Sequence, residues 1–212
     1  MKFLSYDGLL ARVFRYIWNL FLLNVCFILT SLPIFTIGAS VSAMYSVFLN
    51  SSVESGVLRQ YFSAFRENFP KATVIWLVFL SVGVVLGANW YFLLAYRFEG
   101  NGILMGVAMV VSVLYLSVLS FVFALQARFE NTIWQTMKNA MILGIGKIFS
   151  GILMSFVFLF PAIMFVVDLD VFVNVVAIWI PLGFALQIQI NALIAGRVFR
   201  KLQPEETQES GE

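Results

Sequence analysis

Residues 16–53 read YIWNLFLLNVCFILTSLPIFTIGASVSAMYSVFLNSSV, 38 positions without an Asp, Glu, Lys or Arg. A helix that crosses a bilayer needs about 20 predominantly apolar residues. The stretch is therefore too long for one pass and right for two joined by a tight turn. The turn signal lies in its middle, at Ser31-Leu32-Pro33-Ile34-Phe35-Thr36-Ile37-Gly38. Pro33 has no N–H and disfavours helix at Leu32, and Gly38 lets the chain end a segment or approach another backbone closely. The pattern predicts two arms, 16–32 and 36–53, broken at Pro33, Thr36, Gly38 and Ser40. A re-entrant second arm fits as well, because Gly, Ser and Thr allow it to pack inside protein.

Four further uncharged stretches follow, 72–96, 100–127, 148–167 and 171–196, each of a length for one spanning helix. Counting two passes in the first stretch puts both termini and the loops 54–71 and 128–147 on one side. That side carries Lys2, Arg12, Arg15, Arg59, Arg66, Lys71, Arg128, Lys138, Lys147, Arg197, Arg200 and Lys201, and the other carries Arg97 alone. Basic residues concentrate in cytoplasmic loops, so the expectation is a multi-pass membrane protein with amino and carboxyl termini in the cytoplasm. Cleavage as a signal peptide near Val41-Ser42-Ala43 would leave three basic residues on the wrong side. The outer loops carry Glu99, Asp168 and Asp170, an acidic rim.

Composition agrees. Hydrophobic residues make up 61% of the 212 and charged residues 11%, where a soluble chain carries about 25% charged. The net charge of +2 gives no reason to expect nucleic acid. There is one cysteine, Cys26, and no histidine, which excludes a disulfide framework, Cys/His zinc sites and Cys–His or Ser–His catalysis. No carboxylate or basic side chain lies well inside a predicted span, so proton-coupled carriers and intramembrane proteases have nothing to work with. Gly144-Ile145-Gly146 lacks the third glycine, the preceding strand and the acidic residue of a dinucleotide loop. No cofactor is expected, and no enzymatic activity.

The loops on the basic side have a design of their own. Ser51-x-x-Glu54 has the form of a capping box. Behind it Val57, Tyr61, Phe65 and Phe69 recur every four residues beside Leu58 and Phe62, with Arg59, Gln60, Ser63, Arg66 and Glu67 opposite. That periodicity predicts an amphipathic helix in the inner interface. Thr132-x-x-Gln135 opens a weaker copy with Ile133, Trp134, Met137 and Met141 apolar. The first helix supplies a candidate contact for a partner or for lipid: Arg59, Phe62, Phe65, Arg66 and Phe69.

Inside the spans, Gly183, Gln187 and Asn191 lie four apart and form one stripe on the last helix, while Asn19, Asn24 and Asn89 are scattered over others. Such groups act as interhelical glue worth roughly 0.6–2 kcal/mol each, or they line a path for a sugar-like solute. Gly83 with Gly87, Gly102 with Gly106, and Gly38 with Ser42 and Ser46 repeat at a spacing that permits close helix approach. The five tryptophans fall near segment ends, as an aromatic belt requires. The carboxyl-terminal residues 203–212 hold Pro204 and four glutamates and read as a short disordered acidic tail behind a single membrane domain, 1–202.

Two blocks resemble a known family. Ser31-Leu32-Pro33-Ile34-Phe35-Thr36-Ile37-Gly38-Ala39-Ser40, with Ala43 and Tyr45, resembles the opening of the YesL-like family, small bacterial membrane proteins of unassigned biochemical function. Tyr61-Phe62-Ser63-Ala64-Phe65-Arg66-Glu67-Asn68-Phe69-Pro70-Lys71-Ala72 is similar to its second block, and Met137-Lys138-Asn139-Ala140 to a looser third; from Gly144 to Gly151 the similarity is poor. The resemblance implies a setting, carbohydrate uptake by importers of the ABC type, and no catalytic residues.

These readings converge on an all-α membrane protein with five to six transmembrane helices, a Pro/Gly-broken first pair and two cytoplasmic interfacial helices. The expected function is that of a non-enzymatic accessory or regulatory subunit of a carbohydrate ABC importer. Its partners would be the bilayer and the importer's permease and ATPase subunits, with the oligomeric state left open. The alternative is an independent carrier or facilitator for a neutral, sugar-like solute that uses Gln187 and Asn191 and the Pro33–Gly38 break.

Overall fold

A computed structural model describes residues 9–50, 53, 56–96, 100–167 and 169–202. The described residues form eight helices: α1 (Leu9–Ser31), α2 (Ile37–Asn50), α3 (Val57–Ala95), α4 (Asn101–Arg128), α5 (Ile133–Gly146), α6 (Ile148–Val167), α7 (Leu169–Ile178) and α8 (Phe184–Leu202). A 3₁₀ turn, Ile34–Thr36, precedes α2, and a π turn, Trp179–Gly183, precedes α8. Five helices are long and apolar enough to cross a membrane: Leu10–Ser31, α3, α4, α6 and Trp179–Leu202. Their outward faces expose residues such as Val84, Val85, Ile103, Phe149 and Val166, surface that hydrocarbon covers at no cost and water would not.

Between α1 and α2 lie Pro33 and a 3₁₀ turn. Pro33 is extended (φ −75°, ψ 120°), and the chain reverses through the 3₁₀ turn into α2. The two arms run antiparallel, Ser40 Oγ donating to Thr30 Oγ1 over 2.9 Å and Asn19 Nδ2 to the Val53 carbonyl over 2.7 Å. α2 is only 14 residues long and lies at the centre, with every residue from Gly38 to Tyr45 buried. It packs on α3, α4, α8 and α1.

The expected helix over 57–69 is the first third of a longer one. α3 runs unbroken for 39 residues through Pro70. A proline inside a helix removes one hydrogen bond and costs about 3 kcal/mol; packing against α2 holds the helix together across it. Val57, Tyr61, Ala64, Asn68, Ala72, Ile75 and Phe79 are the buried stripe. Phe65 and Phe69 sit at its edge, half-buried, and Phe62 is 50% exposed. The buried stripe thus runs through Ala64 and Asn68 where Phe65 and Phe69 were anticipated, and Asn68 Oδ1 accepts from Gln126 Nε2 of α4 over 3.2 Å.

α3 and α2 end at different levels. Trp76 Nε1 donates to the Ile34 carbonyl over 2.7 Å. From Trp76 to Ala95 there remain 19 residues, about 28 Å at 1.5 Å per residue. The α3–α4 pair therefore extends well past the turn at Pro33. Trp90 Nε1 to Ser112 Oγ (2.9 Å) and Asn101 Nδ2 to the Leu93 carbonyl (3.0 Å) tie that extension together. Gly87, Gly102 and Gly106, expected as small-residue stripes, have nothing among the described residues within 4 Å of the position a Cβ would take.

α5 opens with the anticipated capping box: Thr132 Oγ1 accepts from Gln135 N, and Gln135 Oε1 accepts from Thr132 N. It runs antiparallel to α4, with Thr136 Oγ1 donating to Gln126 Oε1 at one end and Ser117 Oγ donating to the Gly144 carbonyl near the other. A Cβ on Gly144 would lie 2.9 Å from Val118 Cα, and one on Gly151 2.7 Å from Ser117 Cβ. These two glycines let α5 and α6 close on the same turn of α4. The expected Ser51–Glu54 box, Arg97, Glu99, Asp168 and the tail from Gln203 lie outside the described residues.

Candidate functional site

Pro161 in α6 has no N–H, so the Val157 carbonyl four residues earlier loses its helical donor. Gln187 on α8 replaces it: Nε2 lies 2.6 Å from the Val157 carbonyl and 2.6 Å from that of Phe158. One turn on, Asn191 Nδ2 donates to the Met154 carbonyl over 3.3 Å. Both side chains are buried. Gly183, the third member of the stripe, makes room for the Trp179 ring, which would collide with an added Cβ; that ring stacks on Phe160 of α6 at 5.5 Å. The stripe is therefore one seam between α6 and α8, and its amides satisfy backbone groups that a proline and helix packing leave in an apolar interior.

A second splint was not legible in the sequence. Where the π turn Trp179–Gly183 passes into α8, Asn24 of α1 enters the backbone. Its Nδ2 donates to the Ile180 carbonyl over 2.5 Å, and its Oδ1 accepts from Ala185 N over 2.9 Å. Residues 180 and 185 are the two ends of one i→i+5 bond, so the Asn24 amide is inserted into the π turn and completes it. Which side chain answers depends on which helix lies alongside.

Around the Pro33 turn, Thr36 Oγ1 donates to the Pro33 carbonyl over 2.7 Å and also reaches the Thr30 carbonyl. Thr30 Oγ1 lies 2.6 Å from the Tyr61 hydroxyl. A Cβ on Gly38 would fall 2.5 Å from Trp76 Cβ and 2.6 Å from the Ala72 carbonyl oxygen. Thr36 and Ser40 thus tie the turn to the end of α1, and Gly38 lets it lie against α3.

On the other face of α3, Arg59, Phe62 and Arg66 are exposed. Phe65 and Phe69 lie beneath them, ring centroids 5.5 Å apart, with Tyr61 continuing the row. The start of α3 is part of a braced end of the molecule. Arg128 donates to the Leu49 carbonyl (3.0 Å) and Asn50 Oδ1 (2.7 Å), Asn50 Nδ2 returns a bond to the Ala127 carbonyl (2.8 Å), and Lys71 Nζ reaches the Asn131 carbonyl (3.0 Å). These caps satisfy the last carbonyls of α2 and α4.

Residues 20–90 match the model of a family described as "Protein of unknown function, DUF624". The DUF624 match covers α1 from Leu20, α2 and most of α3, and so includes the Pro33 turn and the Arg59–Phe69 face but not the α6–α8 seam. No curated protein and no solved structure matches the chain.

Proposed function

We propose that this protein is an accessory or regulatory membrane subunit of a carbohydrate ABC importer in a bacterial cell membrane, non-enzymatic, and that it meets its partner through the exposed start of α3. The carrying observation is that Gln187 and Asn191 are spent on α6 carbonyls, while Arg59, Phe62 and Arg66 are exposed together. The cavity beside Asn191 is about 40 Å³, far below the roughly 300–1,000 Å³ of small-molecule pockets. This weighs against an independent sugar carrier. The resemblance to the YesL-like family supplies the importer setting. The twelve-to-one distribution of basic residues supports cytoplasmic termini, with the first third of α3 and α5 at the inner interface. In this reading α1 and the short α2 return the chain to the cytoplasmic side.

The test is a mild-detergent pull-down of tagged protein from native membranes with mass spectrometry. Stoichiometric recovery of an ABC permease pair or its ATPase, lost in Arg59→Glu/Arg66→Glu, is the expected result. Charge reversal also weakens attraction to anionic lipid by about 1 kcal/mol per basic residue, so membrane content is quantified alongside. Recovery of the importer unchanged in the double variant removes the α3 assignment. Recovery of the chain alone, with sugar flux in liposomes, replaces the accessory reading by the carrier.

A further inference from the structure

One outward face of α8 changes character along its length. Leu186, Ile190 and Leu193 are exposed, and at the same helical spacing the face continues into Arg197 and Arg200, both exposed. A face that is apolar first and basic at its end belongs to a helix passing from hydrocarbon into the headgroup layer.

Beside the basic end of that face is a cavity of about 300 Å³, between the ends of α2 and α4 and the last three turns of α8. Phe48, Leu49 and Leu193 are among its apolar walls, and its polar walls are Arg128, Gln189 and Arg200. No described carboxylate lines it. The Gln189 amide donates to the Tyr16 hydroxyl of α1. Arg128 makes both of its bonds, to the Leu49 carbonyl and to Asn50 Oδ1, through Nη1. An arginine has five N–H donors, so the edge formed by Nε and Nη2 donates to no described residue. Arg200 has no hydrogen-bond or ion-pair partner among the described residues. Two guanidinium groups thus share one cavity without a counter-charge. The planar guanidinium fork matches the oxygens of a phosphate.

We propose that this cavity holds the phosphate of an anionic phospholipid, bound by Arg128 and Arg200, with the acyl chains leaving past Leu193 along Ile190 and Leu186. Its volume of about 300 Å³ reaches the range of roughly 300–1,000 Å³ found for small-molecule pockets, enough for a headgroup. Leu193 decides for a lipid over a soluble anion, because it belongs both to the cavity wall and to the exposed apolar face. Basic pockets between helices at the cytoplasmic end of a membrane protein take such headgroups. The inference stands apart from the importer reading and from the Arg59–Phe69 face.

The test is native mass spectrometry of the purified, delipidated protein titrated with phosphatidylglycerol or with phosphatidylcholine, whose choline charge opposes the arginines. One phosphatidylglycerol is expected to bind about ten-fold or more tightly than phosphatidylcholine, the scale of a hydrogen bond to a charged group. Arg200→Gln, where no protein contact is lost, is expected to remove most of that preference. Lys201→Gln, an exposed neighbour that does not line the cavity, is expected to leave it unchanged. Equal binding of the two lipids overturns the site. Equal losses in Arg200→Gln and Lys201→Gln also overturn it, since diffuse attraction between charges then accounts for the binding. Displacement of phosphatidylglycerol by an equal concentration of inorganic phosphate assigns the cavity to a soluble anion and overturns the lipid.

Discussion

Replacing Gln187 by Leu tests the proline-splint reading of the α6–α8 seam. Leu fills the space but donates nothing, so the Val157 carbonyl, already without a helical donor because of Pro161, is left alone in an apolar interior. An unsatisfied buried group costs about 1–3 kcal/mol in soluble proteins, and interhelical hydrogen bonds in membranes average roughly 0.6 with a maximum near 1.7. The expected loss for Gln187→Leu is therefore about 1–1.5 kcal/mol. The sharper measurement is the cycle with Pro161→Ala, which restores a backbone N–H for the same carbonyl. In that background Gln187→Leu should cost about 0.5 kcal/mol or less, a coupling near 1 kcal/mol. Equilibrium unfolding in mixed micelles of the wild type, both single variants and the double variant gives all four corners. Equal costs of Gln187→Leu in the two backgrounds would refute the claim that the glutamine stands in for the N–H that proline lacks.

Asn24→Leu removes both the donor to Ile180 and the acceptor for Ala185; a destabilisation of about 1–3 kcal/mol is expected in the same unfolding assay, and a neutral result would mean that the π turn closes by itself. Gly38→Ala should destabilise by about 1–3 kcal/mol through overpacking against Trp76 and Ala72, whereas Gly87→Ala, with open space around it, should be neutral or stabilising by up to about 1 kcal/mol. Equal effects of the two would show that α2 does not lie against α3 as closely as described.

The positions of the long helices were legible because lipid imposes a rule that a single chain can be checked against: each pass needs a run of apolar residues near 20 long with no charge inside. The uncharged stretches at 72–96, 100–127 and 148–167 match α3, α4 and α6 to within one residue at Tyr96 and Gly100. Thr132 marked the start of α5 because a capping hydroxyl acts within one turn of its own position. The helix read over 57–69 and the span read over 72–96 are one helix, α3, which runs through Pro70; whether a proline ends a helix depends on what packs beside it.

The sequence by itself determined which segments are apolar, where the chain turns, and how the charges divide between the loops. All of these are properties of composition and spacing along one dimension. Only the tertiary structure decided what the intramembrane amides do. Nothing in the spacing of Asn24, Gln187 and Asn191 says that the first completes a π turn some 156 residues away, that the second covers for Pro161, or that the third donates to Met154 of α6. The physical reason is that a hydrogen bond inside an apolar interior is settled by whichever donor lies within about 3 Å. Helix packing brings those donors together from distant parts of the chain.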